Sequence, residues 1–500
     1  MKKLCLLLVF LLLLSGCAAP ATKPPQPEVT PLSPTETSWT EPELVTFDVY
    51  AINDLHGKFL DTQGQPGVDE LSTYLQQAKE RSNTILLSTG DMWQGSSESN
   101  LTGGFLITEW MNEMGFDAMT LGGHEFDWGQ EQLRKNQELA QFPFLAINIY
   151  DRSTDQQVGY CRSSLVVEFE GVQIGIIGAI GDSYGSISSE HTKDVYFKIG
   201  DELTQLVKAE SEALRSQGVD FIIYTIHDGH DETYAGTGSM AVSSEELSKY
   251  YDGVLSQGYV DLVFEADTHF SYVLTDSQGV YHLQAGGNNQ AISHARVLID
   301  KNSGDHNVFL AELIPSHQYG YQEDHPIVEQ LLSKYAQQLE STAGTLGTNR
   351  QYRSNDELSQ LVATLYRDLG VEVWGQEYDI VLAGGYISCR SPGYLPEGEV
   401  TYSQLYALLP FDNQITLCSI PGKELLNNFL ETDHPAYHIR TTAYGDSIRN
   451  AINPDGTYYV VTDSYSAYYS YNNMTVIDTY SDTVFARDLV ADHVRSGGLS

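Results

Sequence analysis

Short apolar runs rich in β-branched residues alternate along the chain with stretches that have helical spacing, from Thr46 to about residue 315. The runs are apolar at consecutive positions, which is typical of strands buried on both faces of a sheet. Strands of this kind separated by helices predict an α/β fold. The clearest runs are Phe47–Ile52, Ile85–Leu87, Ile174–Ile177, Phe221–Tyr224 and Leu262–Phe264.

A second pattern, between residues 325 and 342, predicts a linking helix. Ile327, Leu331, Leu332, Tyr335 and Leu339 recur there at the spacing of one helix face. A chain of 500 residues exceeds what one hydrophobic core usually organises, so this helix is expected to join two domains.

The first residues have the pattern of an export signal. Lys2 and Lys3 precede the apolar run Leu4–Leu14, which is too short for a permanent membrane span. Leu14-Ser15-Gly16-Cys17 resembles a bacterial lipobox with Cys17 as the lipidated residue, and an ordinary cleaved signal is the alternative. Seven of the 17 prolines follow by residue 44, which indicates an extended tether. The expected division is signal 1–16, tether 17–44, first domain 45–322, linking helix 323–345 and second domain 346–500.

Composition narrows the range of partners. The formal charge of −40 repels polyanions, so binding of nucleic acid polymers is not expected. A small anionic substrate would need local positive charge, which bound metal ions supply. After the signal, Cys161, Cys389 and Cys418 allow at most one disulfide, and the sequence leaves its existence open.

Polar motifs follow nearly every predicted strand, where open α/β sheets place their sites. Each motif alone has an ordinary explanation as a strand-end turn, but the ordered set of carboxylates and imidazoles suits a pair of divalent metal ions. The motifs are Asp54-Leu55-His56-Gly57, Gly90-Asp91-Met92-Trp93-Gln94-Gly95, Gly122-Gly123-His124-Glu125-Phe126-Asp127, His227-Asp228-Gly229 and Ala266-Asp267-Thr268-His269.

These motifs resemble those of the calcineurin-like metallophosphoesterases, and specifically of the bacterial 5′-nucleotidase and UDP-sugar hydrolase family. The family pattern reads D-x-H, G-D, G-N-H-E, H-x-G and G-H-x-H. The resemblance implies an N-terminal four-layer α/β/β/α sandwich, a linking helix and a separate α+β C-terminal domain. It also implies a first metal held by Asp54, His56, Asp91 and His269.

The resemblance assigns the remaining chemistry to three further residues. Asp91 would bridge to a second metal, which His227 also binds. His124 would be the charged imidazole beside the leaving group, held by Asp127. A histidine with a carboxylate partner has its protonated form favoured, which suits that role.

Two positions depart from the family pattern, and both belong to the second metal. Gly123 replaces an asparagine and Asp267 replaces a histidine. Asp267 is a hard oxygen donor that could still bind a metal, whereas Gly123 offers no side chain. One tight and one weak divalent ion are therefore expected, from among Mn²⁺, Zn²⁺, Mg²⁺ and Ca²⁺. His230 is the spare candidate ligand.

The C-terminal half has a weaker resemblance to the family's base-binding segment. Phe411 would stack on a nucleotide base, Asn413 could hydrogen-bond its edge, and Tyr465 would face Phe411 from the other side. Core packing is the alternative for Phe411. Arg390 is a displaced counterpart of the family's substrate arginine.

The function expected from the sequence is metal-dependent hydrolysis of nucleotide phosphate esters outside the cytoplasm, by a monomer anchored to the cell membrane. Two alternatives remain open. The chain could be a surface nucleotide-binding protein with impaired catalysis, or a phosphodiesterase acting on 2′,3′-cyclic nucleotides or nucleotide sugars.

The lipobox generates the first testable prediction. Cys17→Ala should release the protein from the membrane fraction, because the cysteine is the expected site of lipid attachment. Cell fractionation with an antibody to the folded domain measures this. Equal membrane retention of the variant and the unmutated protein would contradict the anchor.

Overall fold

The structure is a computed structural model that describes residues 42–61, 66–187, 191–229, 258–276, 278–319, 325–340, 344–385, 389–390, 392–429, 440–441, 450–468, 473–481 and 483–499. The expected signal, lipobox and tether up to residue 41 lie outside this range, as does His230. Within the described residues, no helix has the length and apolarity that a membrane crossing requires.

The first of two six-stranded sheets begins with the first described strand of the chain. That strand, Leu44–Ile52, pairs in parallel with Asn83–Ser88 and antiparallel with Ala291–Asp300. In spatial order, the strands of this sheet are His306–Pro315, Ala291–Asp300, Leu44–Ile52, Asn83–Ser88, Ala118–Thr120 and Phe144–Leu145.

The second sheet packs face to face on the first. Phe47 from the first sheet and Phe221 from the second meet edge to face, with ring centroids 5.9 Å apart, and both are fully buried in one apolar cluster. In spatial order, the strands of the second sheet are Ser271–Thr275, Tyr281–Ala285, Leu262–Phe264, Phe221–His227, Val172–Ile180 and Ser164–Phe169.

Helices cover the two outer faces and complete four layers. Over the first sheet, apolar residues such as Leu75 and Trp110 fill one core cluster. Over the second sheet, Val207 and Leu214 fill another. Among the described residues of the sandwich, the helices are Asp69–Arg81, Ser97–Leu101, Phe105–Met114, Gly129–Leu139 and Asp201–Ser216, and a small separate sheet comprises Ile149–Asp151, Gln156–Gln157 and Val195–Phe197.

Two short helices occupy the region where the linking helix was predicted. They run over Pro326–Lys334 and Ala336–Leu339, with Tyr335 between them. Pro326 stands at the helix start, where a missing N–H costs nothing. Ile327, Val328 and Leu331 pack into the helical core of the sandwich, so this region is anchored to the first domain.

The remaining residues form a mixed domain around a five-stranded sheet. Helix Asn355–Trp374 packs on that sheet and begins with a capping box made by Ser354 and Glu357. The strands in spatial order are Arg440–Thr441, Ile380–Gly385, Thr457–Asp463, Ile415–Pro421 and Thr475–Thr479. A two-stranded sheet joins Thr345–Asn349 to Gly398–Thr401, and the other helices are Tyr402–Leu408, Gly422–Glu424, Ser464–Tyr468 and Ala486–Arg495, with a π-helix at Leu425–Phe429.

The arrangement confirms the predicted fold class. The apolar runs named in the sequence are strands, and they are buried on both faces because each sheet lies between the other sheet and a helical layer. The question of a disulfide is also answered: Cys161, Cys389 and Cys418 are free and buried.

Candidate active site

The polar motifs converge because they follow parallel strands. Asp54 and His56 come after Leu44–Ile52, Asp91 comes after Asn83–Ser88, and His124 comes after Ala118–Thr120. In the second sheet, His227 ends its strand, and Asp267 and His269 follow the parallel strand Leu262–Phe264. Parallel strands present their carboxyl ends at one edge, so the two sheets bring all these side chains to one place.

The backbone at these positions is unusual. Five of the six predicted metal ligands have left-handed backbone conformations, which residues other than glycine seldom adopt. Such conformations cost free energy and concentrate at functional sites. Their φ angles are 50° for Asp54, 50° for His56, 54° for Asp91, 71° for Asp267 and 58° for His269.

The first predicted metal position is formed by Asp54, His56 and His269. The Nε2 atom of His269 lies 3.4 Å from Oδ1 of Asp54 and 2.9 Å from Nε2 of His56. Ligand atoms of the three residues lie within 4.8 Å of one another. Burial and the neighbouring His269 lower the pKa of His56 to about 3, so its imidazole is neutral, as a metal ligand must be.

A backbone carbonyl sets the orientation of the His56 ring. Its Nδ1 lies 3.0 Å from the carbonyl oxygen of Gln94. With the proton assigned to Nδ1, that atom donates to the carbonyl, and the lone pair of Nε2 points into the site.

The second predicted metal position centres on His227. Its Nε2 lies 3.3 Å from Oδ2 of Asp91 and 3.8 Å from Oδ1 of Asp267. The Nδ1 atom faces the carbonyl oxygen of Thr89 at 2.7 Å, while the buried Nε2 has no hydrogen-bond partner. A buried imidazole nitrogen without a partner, facing carboxylates, fits a divalent cation.

Asp91 lies where the two positions meet. It belongs to a group with Asp54 and His227 and to another with His56 and His124, each with ligand atoms within 4.8 Å. This is the placement expected of a bridging carboxylate.

The structure places the two residues that depart from the family pattern at the second predicted metal position. Among the described residues, Asp267 does not join any of the groups with mutually close ligand atoms, although its side chain faces His227. Gly123 has an ordinary helical conformation, with φ −67° and ψ −44°. An asparagine could therefore occupy that position without backbone strain.

His124 stands beside these groups with its charge stabilised. Its Nδ1 lies 2.7 Å from Oδ2 of Asp127, and its Nε2 lies 3.9 Å from Oδ2 of Asp91. Burial opposes protonation, but the carboxylates of Asp127 and Asp91 outweigh it and raise the pKa of His124 to about 9. The imidazolium that the sequence predicted is therefore the favoured form at neutral pH.

The role of Glu125 was missed by the sequence analysis. Its buried carboxylate accepts hydrogen bonds from the backbone N–H groups of Asp91, Met92 and Gly122, at 2.9, 2.9 and 2.7 Å. The signal in the sequence was its place directly after His124, as the last residue of the G-N-H-E pattern. Glu125 therefore fixes the loop of the central ligand to the loop of the predicted catalytic histidine.

The second domain contributes two side chains to the same place. The ring of Phe411 stacks on that of His124, with centroids 5.4 Å apart and planes at 27°. The guanidinium of Arg390 lies over the Phe411 ring, with Cζ 5.0 Å from the ring centroid. The sequence predicted a base, not His124, as the partner of Phe411.

A cavity of about 210 Å³ opens between the domains. Its described lining includes the predicted residues Arg390 and Phe411 but neither Asn413 nor Tyr465. It also includes Gln94, from the predicted motif that contains Asp91, and Lys58 and Asn288, which the sequence analysis did not single out. Burial lowers the pKa of Lys58 to about 8, against the effect of the Glu98 carboxylate.

Hydrogen bonds hold the two domains together beside the cavity. The carbonyl oxygen of Pro410 accepts from the side chains of Gln94 at 2.9 Å and Asn100 at 2.8 Å. The buried Arg487 donates to the carbonyl of Phe411 at 3.1 Å and pairs with Asp412. The turn that carries Phe411 is therefore fixed from both domains.

Comparison with known structures defines the class of fold. The chain superposes on the crystal structure of a 5′-nucleotidase precursor from Thermus thermophilus with a TM-score of 0.69 at 18% identity, over 91% of this chain and 96% of that chain. Residues 336–476 match the family model described as 5′-nucleotidase, C-terminal domain. The class is thus the two-domain fold of 5′-nucleotidases.

Sequence relatives narrow the class to a family. The chain is 24% identical over 508 residues to the protein UshA of Yersinia enterocolitica, with 90% of each chain covered. It is 26% identical over 414 residues to the endonuclease YhcR of Bacillus subtilis. The aligned region covers 77% of this chain but 32% of that protein. These similarities confirm the resemblance to the 5′-nucleotidase and UDP-sugar hydrolase family.

The expectation of one tight and one weak ion generates a prediction about metal content. The double variant Gly123→Asn with Asp267→His should bind two divalent ions tightly where the unmutated protein binds one, because it gains an amide oxygen and an imidazole. Elemental analysis after dialysis measures the stoichiometry. Gly159→Asn is a matched control, since a side chain there would meet nothing within 4 Å. Two tightly bound ions in the unmutated protein would contradict the prediction.

Proposed function

We propose that this chain hydrolyses phosphate esters of nucleotides with divalent metal ions, as an enzyme of the 5′-nucleotidase type. The observation that carries the proposal is the convergence of carboxylates and imidazoles on Asp91 beside a histidine whose charged form is favoured. The names of the relatives, 5′-nucleotidases among them, support the nucleotide as substrate.

The donor set suits metal ions in two positions. Asp54, His56, Asp91 and His269 would hold the first ion, and Asp91, His227 and Asp267 the second. When bound, such ions supply positive charge to phosphoryl oxygens and lower the pKa of water. The buried Nε2 of His227, which faces the Asp91 carboxylate and makes no hydrogen bond, supports this assignment.

The chain's own residues would act on the two ends of the reacting bond. Asp127 accepts a hydrogen bond from Nδ1–H of His124 and so directs Nε2–H towards the position of the substrate. From there the imidazolium would stabilise negative charge on the phosphoryl group or on the leaving oxygen. Arg390, which the second domain places at the same cavity, would neutralise a phosphoryl oxygen.

A protein that binds nucleotides without turnover is the second candidate. It is favoured by one observation, the placement of Asp267 outside the groups of mutually close ligand atoms. The proposed enzyme would accordingly have low activity that rises with added Mn²⁺. With the lipid anchor expected at Cys17, either protein would work on the outer side of the cell membrane.

Turnover measurements decide between the two candidates. Protein reconstituted with Mn²⁺ should release phosphate from nucleoside 5′-monophosphates faster than it cleaves 2′,3′-cyclic nucleotides or nucleotide sugars. Asp91→Asn should lower the rate at least about 100-fold, the effect of losing about 3 kcal/mol of transition-state stabilisation. The exposed Asp305→Asn is the control and should retain the rate. Nucleotide binding without turnover of any substrate would favour the binding protein.

The role of Phe411 is tested by comparing two substrates. If its ring also packs against a base, Phe411→Ala should raise KM for a nucleotide about tenfold, since stacking on a base contributes about 1–3 kcal/mol. It should change KM for a small aryl phosphate much less. Equal losses of kcat on both substrates would instead assign Phe411 to the support of His124, the ring it contacts.

A further inference from the structure

We propose that Asn355 is a positioning residue for Arg390, the cation that the second domain contributes to the cavity. The side chain of Asn355 holds the backbone of Cys389, the residue directly before Arg390. This inference rests on the proposed function, in which Arg390 neutralises a phosphoryl oxygen. It adds the residue that determines where the guanidinium stands.

The guanidinium of Arg390 depends on the backbone for its position. Within the described part of the chain it makes no hydrogen bond to another residue, and it packs over the Phe411 ring with Cζ 5.0 Å from the centroid. Its charge acts on the carboxylates of Asp127 and Asp91. An arginine side chain has many rotamers, so a guanidinium that no hydrogen bond holds reaches the cavity only if its main chain is correctly placed.

Hydrogen bonds from two directions fix that main chain. Nδ2–H of Asn355 donates to the carbonyl of Cys389 at 2.6 Å, and the N–H of Cys389 donates to Oδ1 of Asn355 at 3.3 Å. The N–H of Arg390 donates to the carbonyl of Leu408 at 2.8 Å. Asn355 thus pairs with both backbone groups of Cys389, as a residue on a neighbouring strand would.

The amide of Asn355 has one possible orientation. A backbone carbonyl can only accept and a backbone N–H can only donate, so Nδ2 must face the first and Oδ1 the second. Ser359, one helical turn further and fully buried, donates to Oδ1 at 3.1 Å. The amide is therefore also held by its own helix.

The helix that carries Asn355 is firmly placed in the second domain. Asn355 is the first residue of Asn355–Trp374 and directly follows Ser354, which forms a capping box with Glu357. The buried Leu358 packs this first turn into the core of the domain. That core therefore determines where the amide of Asn355 stands.

Affinities for two ligands test the inference without turnover. Calorimetry compares a phosphonate analogue of AMP with adenosine, which lacks the phosphoryl group, both with Mn²⁺ present. Asn355→Asp keeps the size of the side chain but sets a carboxylate oxygen against the carbonyl of Cys389. It should weaken the phosphonate about tenfold and adenosine less than about twofold, because Arg390 acts on the phosphoryl group alone.

A double-mutant cycle separates positioning from a general structural role. Arg390→Ala should weaken the phosphonate at least about tenfold. In that background, Asn355→Asp should weaken it less than about twofold further, because the side chain to be positioned is gone. A merely structural role of Asn355 would give the same loss in both backgrounds.

Asn112→Asp is the matched control. Nδ2–H of Asn112 donates to the carbonyl of Leu139 at 3.0 Å, and its Oδ1 accepts from the N–H of Gln141 at 2.7 Å. The substitution therefore sets a carboxylate against a carbonyl in the same way, at a residue that does not line the cavity. It should lower the unfolding temperature and leave both affinities unchanged.

Equal weakening of the phosphonate and adenosine would overturn the inference, as would equal losses from Asn355→Asp with and without Arg390, or no loss at all. If Asn355→Asp fails to fold in a thermal unfolding measurement, Ser359→Ala decides, because it removes a hydroxyl that holds the amide. It should weaken the phosphonate about threefold, again only while Arg390 is present, and an unchanged affinity would overturn the inference. Failure of the proposed function is distinct, since it would appear as absent turnover of every nucleotide while these affinity differences persist.

Discussion

The arrangement of the site depends on a buried carboxylate that receives three backbone hydrogen bonds. Glu125, which is 1% exposed, accepts from the N–H groups of Asp91, Met92 and Gly122. Leaving a buried backbone N–H without a hydrogen-bond partner costs about 1–3 kcal/mol, so each of the three bonds stabilises these loops. This interaction joins the loops after two neighbouring strands, so the distances between Asp91 and His124 follow from it.

The loops that carry Asp54, His56 and Asp91 have strained backbone conformations, and packing between the loops maintains them. Left-handed backbone at Asp54, His56 and Asp91 would relax in a free loop, but each loop is closed by hydrogen bonds to its neighbour. The N–H of Asp54 donates to the carbonyl of Gly90 at 3.0 Å, as that of His56 does to Asp91. Rigid neighbours therefore hold side chains in positions that local preferences alone would not select.

The two domains share the site through one turn. Pro410 accepts hydrogen bonds from the first domain, while Arg487 holds the same turn from the second. Phe411 then stacks on His124, and Arg390 reaches the cavity. The metal-ligand candidates thus lie in the first domain, while residues of both domains line the cavity beside them.

The sequence by itself determined the buried strands and the order of the polar residues that follow them. Continuous apolar runs fix buried strands, and polar residues directly after parallel strands must meet at one edge, so Asp54, Asp91 and His227 could be found from local pattern. Only the tertiary structure decided which residues face them across the domain boundary. Lys58 and Arg390 line one cavity although far apart in sequence, and Phe411 meets His124. Such contacts depend on how the two hydrophobic cores pack against each other. The apolar periodicity within either segment does not specify that packing.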